Sequence, residues 1–402
     1  MESTAWNRLR NLFSKIPNPV KTTSAKPKPT IIGTPDKMNH KPAAGLAKPT
    51  QPEPISDAAN PNKTSVDAIV KKFKASSDSR RFRKRDFYYE ATVRRLASRG
   101  EFSAVDEILQ HQKTYTDIAD EGFAVRLICY YGKAKMFDEA RKLFDELPSL
   151  NCERTVVSFN ALLSACVNSR QYDKVFELFS KVPVELGIEP NVVSYNTVIK
   201  GFCAVGCSDE ALSMLDEMEK NNVKPDAVTF NTLLNAFNQM ENFSQAEKLW
   251  SLMEEKDVVA NVGSYNARLR GLVARNQNAE AVELIDEMRA KGVALDVFSY
   301  NALLKGFVDD GNLEEAKRWY WNMIEHGLKP DKATFGMLVP FACDKDDFEF
   351  AFEMCKKAIK TNQKVYQSVV QMVIDGLVLR SKDDEAEILK KMASTFVFRK
   401  LN

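Results

Sequence analysis

Five asparagines, Asn160, Asn196, Asn231, Asn266 and Asn301, stand 35 or 36 residues apart along this chain. Each follows a hydroxyl residue and an aromatic ring: Ser158-Phe159, Ser194-Tyr195, Thr229-Phe230, Ser264-Tyr265 and Ser299-Tyr300. Thirty or 31 residues after each comes another amide or an acid, namely Asn191, Asp226, Asn261, Asp296 and Asp331. An amide offers a donor and an acceptor together, so the chemistry open to this file is hydrogen-bond recognition. The same residue types near helix starts and turns also serve the backbone locally.

Residue sets for bond-breaking chemistry are missing. None of His40, His111 and His326 is followed by x-Glu, and no Cys-x-x-Cys occurs, so a zinc deaminase is excluded. The acidic runs Asp309-Asp310, Asp344 to Asp347 (with Lys345 between) and Asp383-Asp384 fall at turns, where Asp caps helices. Spread along the chain, they cannot converge on a metal pair. No phosphate loop, nucleophile elbow or metalloprotease helix is present. No catalytic residue, metal or cofactor is expected, and no enzyme. The seven cysteines are read as reduced, with Cys166 and Cys203 at core positions, and Cys203 to Cys207 lacks partners for a zinc site.

The elements that would position the asparagines follow from a second ladder. Ala140, Ala211, Ala246, Ala281, Ala316, Ala351 and Ala386 recur in steps of 35, apart from one step of 71 in which Val175 stands for the missing member. A unit this short cannot bury its own apolar face, so tandem copies must share a core. In 192–226, Val198, Ile199 and Phe202 form one helical stripe, and Ala211, Met214, Leu215 and Met218 a second. Gly206 interrupts between them, and Pro225 follows the second. The spacing predicts two antiparallel helices per unit. Small residues in the middle of the first helix (Ala165, Gly201, Ala236, Gly271, Gly306) are expected to let helices approach closely.

The strong units are 156–191, 192–226, 227–261, 262–296 and 297–331, and weaker copies occupy 86–120, 121–155, 332–366 and 367–402. On this reading, the array is expected to leave no room for an appended catalytic domain. The predicted fold is all-α: a superhelical solenoid of about nine helix–turn–helix repeats, preceded by a disordered tail.

The strings VVSYNTVIKGFCAVGCSDEALSMLDEMEKNNVKPD (192–226) and VFSYNALLKGFVDDGNLEEAKRWYWNMIEHGLKPD (297–331) resemble pentatricopeptide repeats of the pure class. The resemblance covers residues from about 86 onward and implies a right-handed superhelix. FNALLSACVNSRQYD (159–173) and SYNARLRGLVARNQNAE (264–280) are similar to short members in the small subunit of plant mitochondrial ribosomes.

In this family the fifth and last residues of a unit read one RNA base, and the second residue flanks it as an apolar wedge. The resemblance therefore implies base reading by Asn160 with Asn191, Asn196 with Asp226, Asn231 with Asn261, Asn266 with Asp296, and Asn301 with Asp331. Asn with Asp favours uracil and Asn with Asn cytosine, which gives 5′-CUCUU-3′. The wedges are Val157, Val193, Val228 and Phe298; Gly263 departs from the pattern. At the fifth position the outer units depart further, with Glu90, Val125, Gly336 and Gln371.

Upstream, ten of the sixteen prolines lie in the first 62 residues, which predicts disorder there. Trp6, Leu9, Phe13 and Ile16 beside Arg8, Arg10 and Lys15 read as an organelle transit peptide, with a mitochondrion preferred over a plastid. Residues 63–85 read as a basic linker or capping helix, whose Val66, Ile69, Val70 and Phe73 would cover the open end of the array. Arg80, Arg81, Arg83, Lys84 and Arg85, followed by Phe87, Tyr88 and Tyr89, suit phosphate contact and base stacking. Equally, they suit a solvated charge run entering the first helix, with Phe87 and Tyr88 in the core.

No apolar run approaches the roughly 20 residues that span a bilayer, so no membrane partner is expected. Residues 1–85 carry 18 Lys/Arg against 6 Asp/Glu, whereas the repeats carry 39 against 49. An RNA-binding surface held by phosphates should be basic. Either the groove is locally basic, or protein contacts matter as much as RNA. Two readings follow. One is a factor binding single-stranded, pyrimidine-rich mitochondrial RNA in its groove for stabilisation, processing or translation. The other is a structural subunit of the mitochondrial small ribosomal subunit, held by rRNA and protein contacts. No DNA partner is expected.

Overall fold

A computed structural model describes residues 61–398 apart from Lys364. The stripe of Trp6, Leu9, Phe13 and Ile16, the proline-rich stretch to residue 60, and residues 399–402 lie outside the described residues. All regular elements among the described residues are helical. The chain divides into two compact units at Pro190–Asn191. The first holds helix Pro61–Ser77, a short helix Arg80–Arg83, and the hairpins Asp86–Ala97/Phe102–His111, Glu121–Lys133/Phe137–Glu146 and Val156–Asn168/Tyr172–Leu186. The second begins with Val192–Val205/Ser208–Lys220, Ala227–Gln239/Phe243–Glu255 and Val262–Ala274/Asn278–Ala290. It continues with Val297–Asp309/Leu313–Glu325, Lys332–Asp344/Phe348–Lys360 and Gln367–Leu379/Asp383–Phe398.

Local chemistry sets where these helices start. Six of the first helices open on a capping box: Thr155 with Ser158, Asn191 with Ser194, Asp226 with Thr229, Asn261 with Ser264, Asp296 with Ser299, and Asp331 with Thr334. Each cap satisfies N–H groups that the helix cannot, worth about 1 kcal/mol. Between the two helices of every hairpin one residue takes left-handed backbone. It is glycine at Gly100, Gly206 and Gly311, but Lys135, Arg170, Glu241, Asn276, Asp346 and Ser381 elsewhere.

Within each compact unit, a first helix packs on its own second helix and on the first helix of the next hairpin. The ladder alanines and Val175 are buried on the second helices. The aromatic at the fourth place of the strong units (Phe159, Tyr195, Phe230, Tyr265, Tyr300) is buried too, each ring adding up to about 3 kcal/mol. With 3.6 residues per turn, an inward ring turns the next residue about 100° away. That rotation sets the orientation of the five asparagines.

The small mid-helix residues play two roles, not the single one expected. A Cβ on Gly132 would lie 2.6 Å from the Ala165 Cα, so there two helix backbones do approach closely. Beside Gly271 and Gly306, the space is taken by the Asn238 and Asn278 side chains. Asn238 spends its amide on the Ala267 carbonyl at 2.8 Å. At the N-terminal end, Val66, Val70 and Phe73 are buried and Ile69 half-buried, on a helix packed against Phe102–His111.

Candidate nucleic-acid interface

The last residue of one repeat is the N-cap of the next repeat's first helix, so fifth and last residues meet across adjacent hairpins. Asn196 Nδ2 donates to Asp226 Oδ1 at 3.1 Å, and the Thr229 hydroxyl donates to Asn196 Oδ1 at 2.6 Å. The same Asp226 Oδ1 accepts from the Thr229 backbone N–H at 2.9 Å. Asn266, Asp296 and Ser299 repeat this triangle at 3.0 Å and 2.7 Å, and Asn301, Asp331 and Thr334 at 3.1 Å and 2.7 Å. Each amide has one N–H and one oxygen lone pair committed and one of each uncommitted; Asn196 and Asn301 are half-buried, whereas Asn266 is buried.

Burial alone would push the Asp226 carboxyl up. Hydrogen bonds from the Thr229 backbone, Asn196 and the Thr229 hydroxyl outweigh it and hold the group below the usual aspartate range. Asp331 is depressed in the same way by Thr334 and Asn301.

Flanking these pairs, Val157, Val193, Val228 and Phe298 are between 49% and 64% exposed. An exposed apolar side chain thus recurs at the second position of four of the five strong repeats. Gly263 breaks the series, and the pair beside it differs. Asn231 Nδ2 reaches Asn261 Oδ1 at 3.2 Å, but Asn231 Oδ1 is buried with no hydrogen-bond partner. Asn160 is buried at the equivalent place in the first compact unit, and Asn191 caps Val192–Val205.

The outer repeats carry other chemistry at these places. Glu90 is ion-paired with Lys133 at 2.9 Å and Arg94 at 2.6 Å. Gly336 faces the Tyr366 ring, which would stand 3.1 Å from a Cβ there, and Lys332 Nζ lies 3.6 Å from that ring's centre. Val125 is half-buried and Gln371 donates to Asp375 on its own helix. Two residues escaped the sequence reading. Tyr366 is one. The other is Glu121, whose carboxylate accepts from the Thr155 and Ser158 backbone N–H groups at 3.0 Å and 3.1 Å and so anchors that cap.

The basic run divides. Arg80, Arg81, Lys84 and Arg85 are exposed, with Arg80 3.6 Å from Asp117. Arg83 is only 7% exposed and is withdrawn as a phosphate contact. Its guanidinium donates to Asp117 and the Ser77 carbonyl, each at 2.7 Å, and stacks on Tyr115. Phe87 and Tyr88 are exposed, which corrects their reading as core; Tyr89 is the buried ring, hydrogen-bonded to Gln112 at 2.7 Å. Cys166 is buried, with its thiol pushed up to about 12 by burial. Cys203 is half-buried, short of a full core position, and burial pushes its thiol up to about 12 as well.

Residues 190–239, 226–273, 260–309 and 295–344 match the PPR repeat family, 142–205 the pentatricopeptide repeat domain, and 126–152 the PPR repeat. Together these matches run from 126 to 344, more than half of the chain. The chain belongs to the pentatricopeptide repeat family. This pentatricopeptide repeat protein is 44% identical over 185 residues to the small ribosomal subunit protein mS79 (rPPR3b) of Arabidopsis thaliana, covering 45% of this chain and 46% of that one. It is 40% identical over 135 residues to an Arabidopsis pentatricopeptide repeat-containing protein designated mitochondrial, covering 33% and 32%. The match thus spans less than half the length of either relative. Among solved structures, the maize pentatricopeptide repeat protein PPR10 superposes with a TM-score of 0.46 at 18% identity, over 83% of this chain and 57% of that one.

Proposed function

We propose that this protein binds single-stranded, pyrimidine-rich RNA in the mitochondrion and acts there by binding, in RNA stabilisation, processing or translation. The observation that carries the reading is the run of hydrogen-bonded amide pairs at Asn196/Asp226, Asn231/Asn261, Asn266/Asp296 and Asn301/Asp331. In the three aspartate pairs the asparagine keeps one donor and one acceptor uncommitted, and Asn196 and Asn301 are partly open to solvent, with exposed apolar residues at the second position of most of these repeats. By the family's pairing, these four would favour UCUU, and Asn160 with Asn191 would extend this to CUCUU. The mitochondrial relative and the basic amphipathic start support the compartment.

A second reading, a structural subunit of the mitochondrial small ribosomal subunit, is favoured by the similarity to mS79. The net acidic repeats also suit protein docking. Ultraviolet crosslinking of the tagged protein in isolated mitochondria, followed by sequencing of the attached RNA, separates the two. Reads at a few transcript sites containing a CUCUU-like core are expected from a transcript factor. Reads at fixed positions of small-subunit rRNA would make the protein a ribosome component. Loss of all crosslinks would overturn both.

A further inference from the structure

One helical turn beyond each fifth-position asparagine, on the same face of the first helix, stands the ninth residue of the repeat. Its identity tracks the charge of the base-reading pair. Where the pair is Asn with Asp, the ninth residue is a cation: Lys200 beside Asn196/Asp226, Arg270 beside Asn266/Asp296, and Lys305 beside Asn301/Asp331. Where the pair is neutral, so is the ninth residue: Ser164 beside Asn160/Asn191 and Asn235 beside Asn231/Asn261. All five strong repeats obey this rule.

The three cations are exposed. Arg270 donates to the Asn235 side chain of the preceding repeat, so neighbouring ninth positions lie within side-chain reach. Although the Arg270 residue as a whole is exposed, partial desolvation of its guanidinium pulls it down and outweighs the Asp296 carboxylate, which favours the charge. Lys305 is shared with Asp309 on its own helix, an exposed i,i+4 pair that a stronger anion can displace. A carboxylate in a base-reading pair repels the phosphodiester that must pass beside it. A cation one turn away on the same face cancels that repulsion and offers the phosphate a partner.

We propose that Lys200, Arg270 and Lys305 form a phosphodiester-binding row, present only in repeats whose base-reading pair carries a carboxylate. It rests on the RNA reading above and deepens it. The row offsets the three carboxylates of those pairs, so this face need not share the net acidity of the repeats as a whole.

The test uses the full chain, a labelled single-stranded oligoribonucleotide containing CUCUU, and an oligoadenylate of equal length, with affinity measured from about 50 to 200 mM salt. The triple variant Lys200→Gln, Arg270→Gln, Lys305→Gln should bind CUCUU roughly tenfold more weakly, with the preference over oligoadenylate kept. Its log Kd against log salt slope should fall by about 2, near 0.7 for each lost phosphate contact. Lys200→Arg should behave as wild type. Unchanged affinity and slope in the triple variant would overturn the row while leaving base reading intact. Wild-type protein that binds neither oligomer, or both equally, would overturn the base-reading proposal itself and the row with it.

Discussion

Asn231 lies against Gly263: a Cβ on that glycine would stand 2.9 Å from Asn231 Nδ2. The amide stands where a side chain on Gly263 would begin, and its Oδ1 is buried without a partner. Gly263→Val supplies the residue type found at Val193 and Val228 and needs only a small shift of a flexible side chain. The variant should fold as wild type and bind a CUCUU oligomer about 1 kcal/mol, or roughly fivefold, more tightly, as read by fluorescence anisotropy. Unchanged or weaker binding would remove the wedge role from this position.

Asp226 and Asp331 carry the pH dependence of their caps. Both carboxyls lie below their unfolded value, so their contribution is complete above about 3.9 and fades as pH falls through the lower folded value. Asp226→Asn preserves the cap without the titrating group. The melting-temperature advantage of wild type over this variant should be constant above about pH 5 and shrink as pH falls below the unfolded value. Asp226→Ala, which removes the cap, should cost about 1 kcal/mol at neutral pH. A gap between wild type and the Asn variant that widens on acidification would reverse the assignment.

Arg83 and Arg81 are two residues apart and should behave oppositely. Arg83→Gln breaks a buried ion pair with Asp117 and should lower stability by about 3 kcal/mol in urea unfolding. Exposed Arg81→Gln should stay within about 0.5 kcal/mol of wild type. If both substitutions are silent in stability, Arg83 is not the structural residue inferred from its contacts.

Left-handed backbone at Arg170 and Glu241 sets a side chain against its own carbonyl. Arg170→Gly and Glu241→Gly should each stabilise by about 1 kcal/mol, raising the melting temperature by about 2–4 °C in a calorimetric scan. A fall would mean that these side chains make contacts worth more than the strain.

The helix pairs were legible because packing has a period. Small ladder residues and an aromatic at a fixed place must recur wherever identical hairpins stack. Asn196 and Asp226 were legible for the same reason, as both lie in that frame. What stayed hidden depends on a single distant partner. Nothing in Arg80 to Arg85 marks Arg83 as different until Asp117 folds against it. Glu121 becomes a cap anchor only when Thr155 arrives 34 residues later. Tyr366 gains meaning only beside Gly336, where the ring takes the room of the missing side chain.

The residue that closes one repeat also starts the helix of the next, which ties vocabulary to architecture. Any rewriting of the array at Asn191, Asp226, Asn261, Asp296 or Asp331 must draw from the short list of side chains that can begin a helix. Under the proposed base reading, exchanges among aspartate, asparagine, serine and threonine would change the letter and keep the foundation. A leucine would erase both. If these residues read bases as proposed, the alphabet open to them is small before any ligand arrives, and retargeting would be safest in steps that a helix terminus accepts.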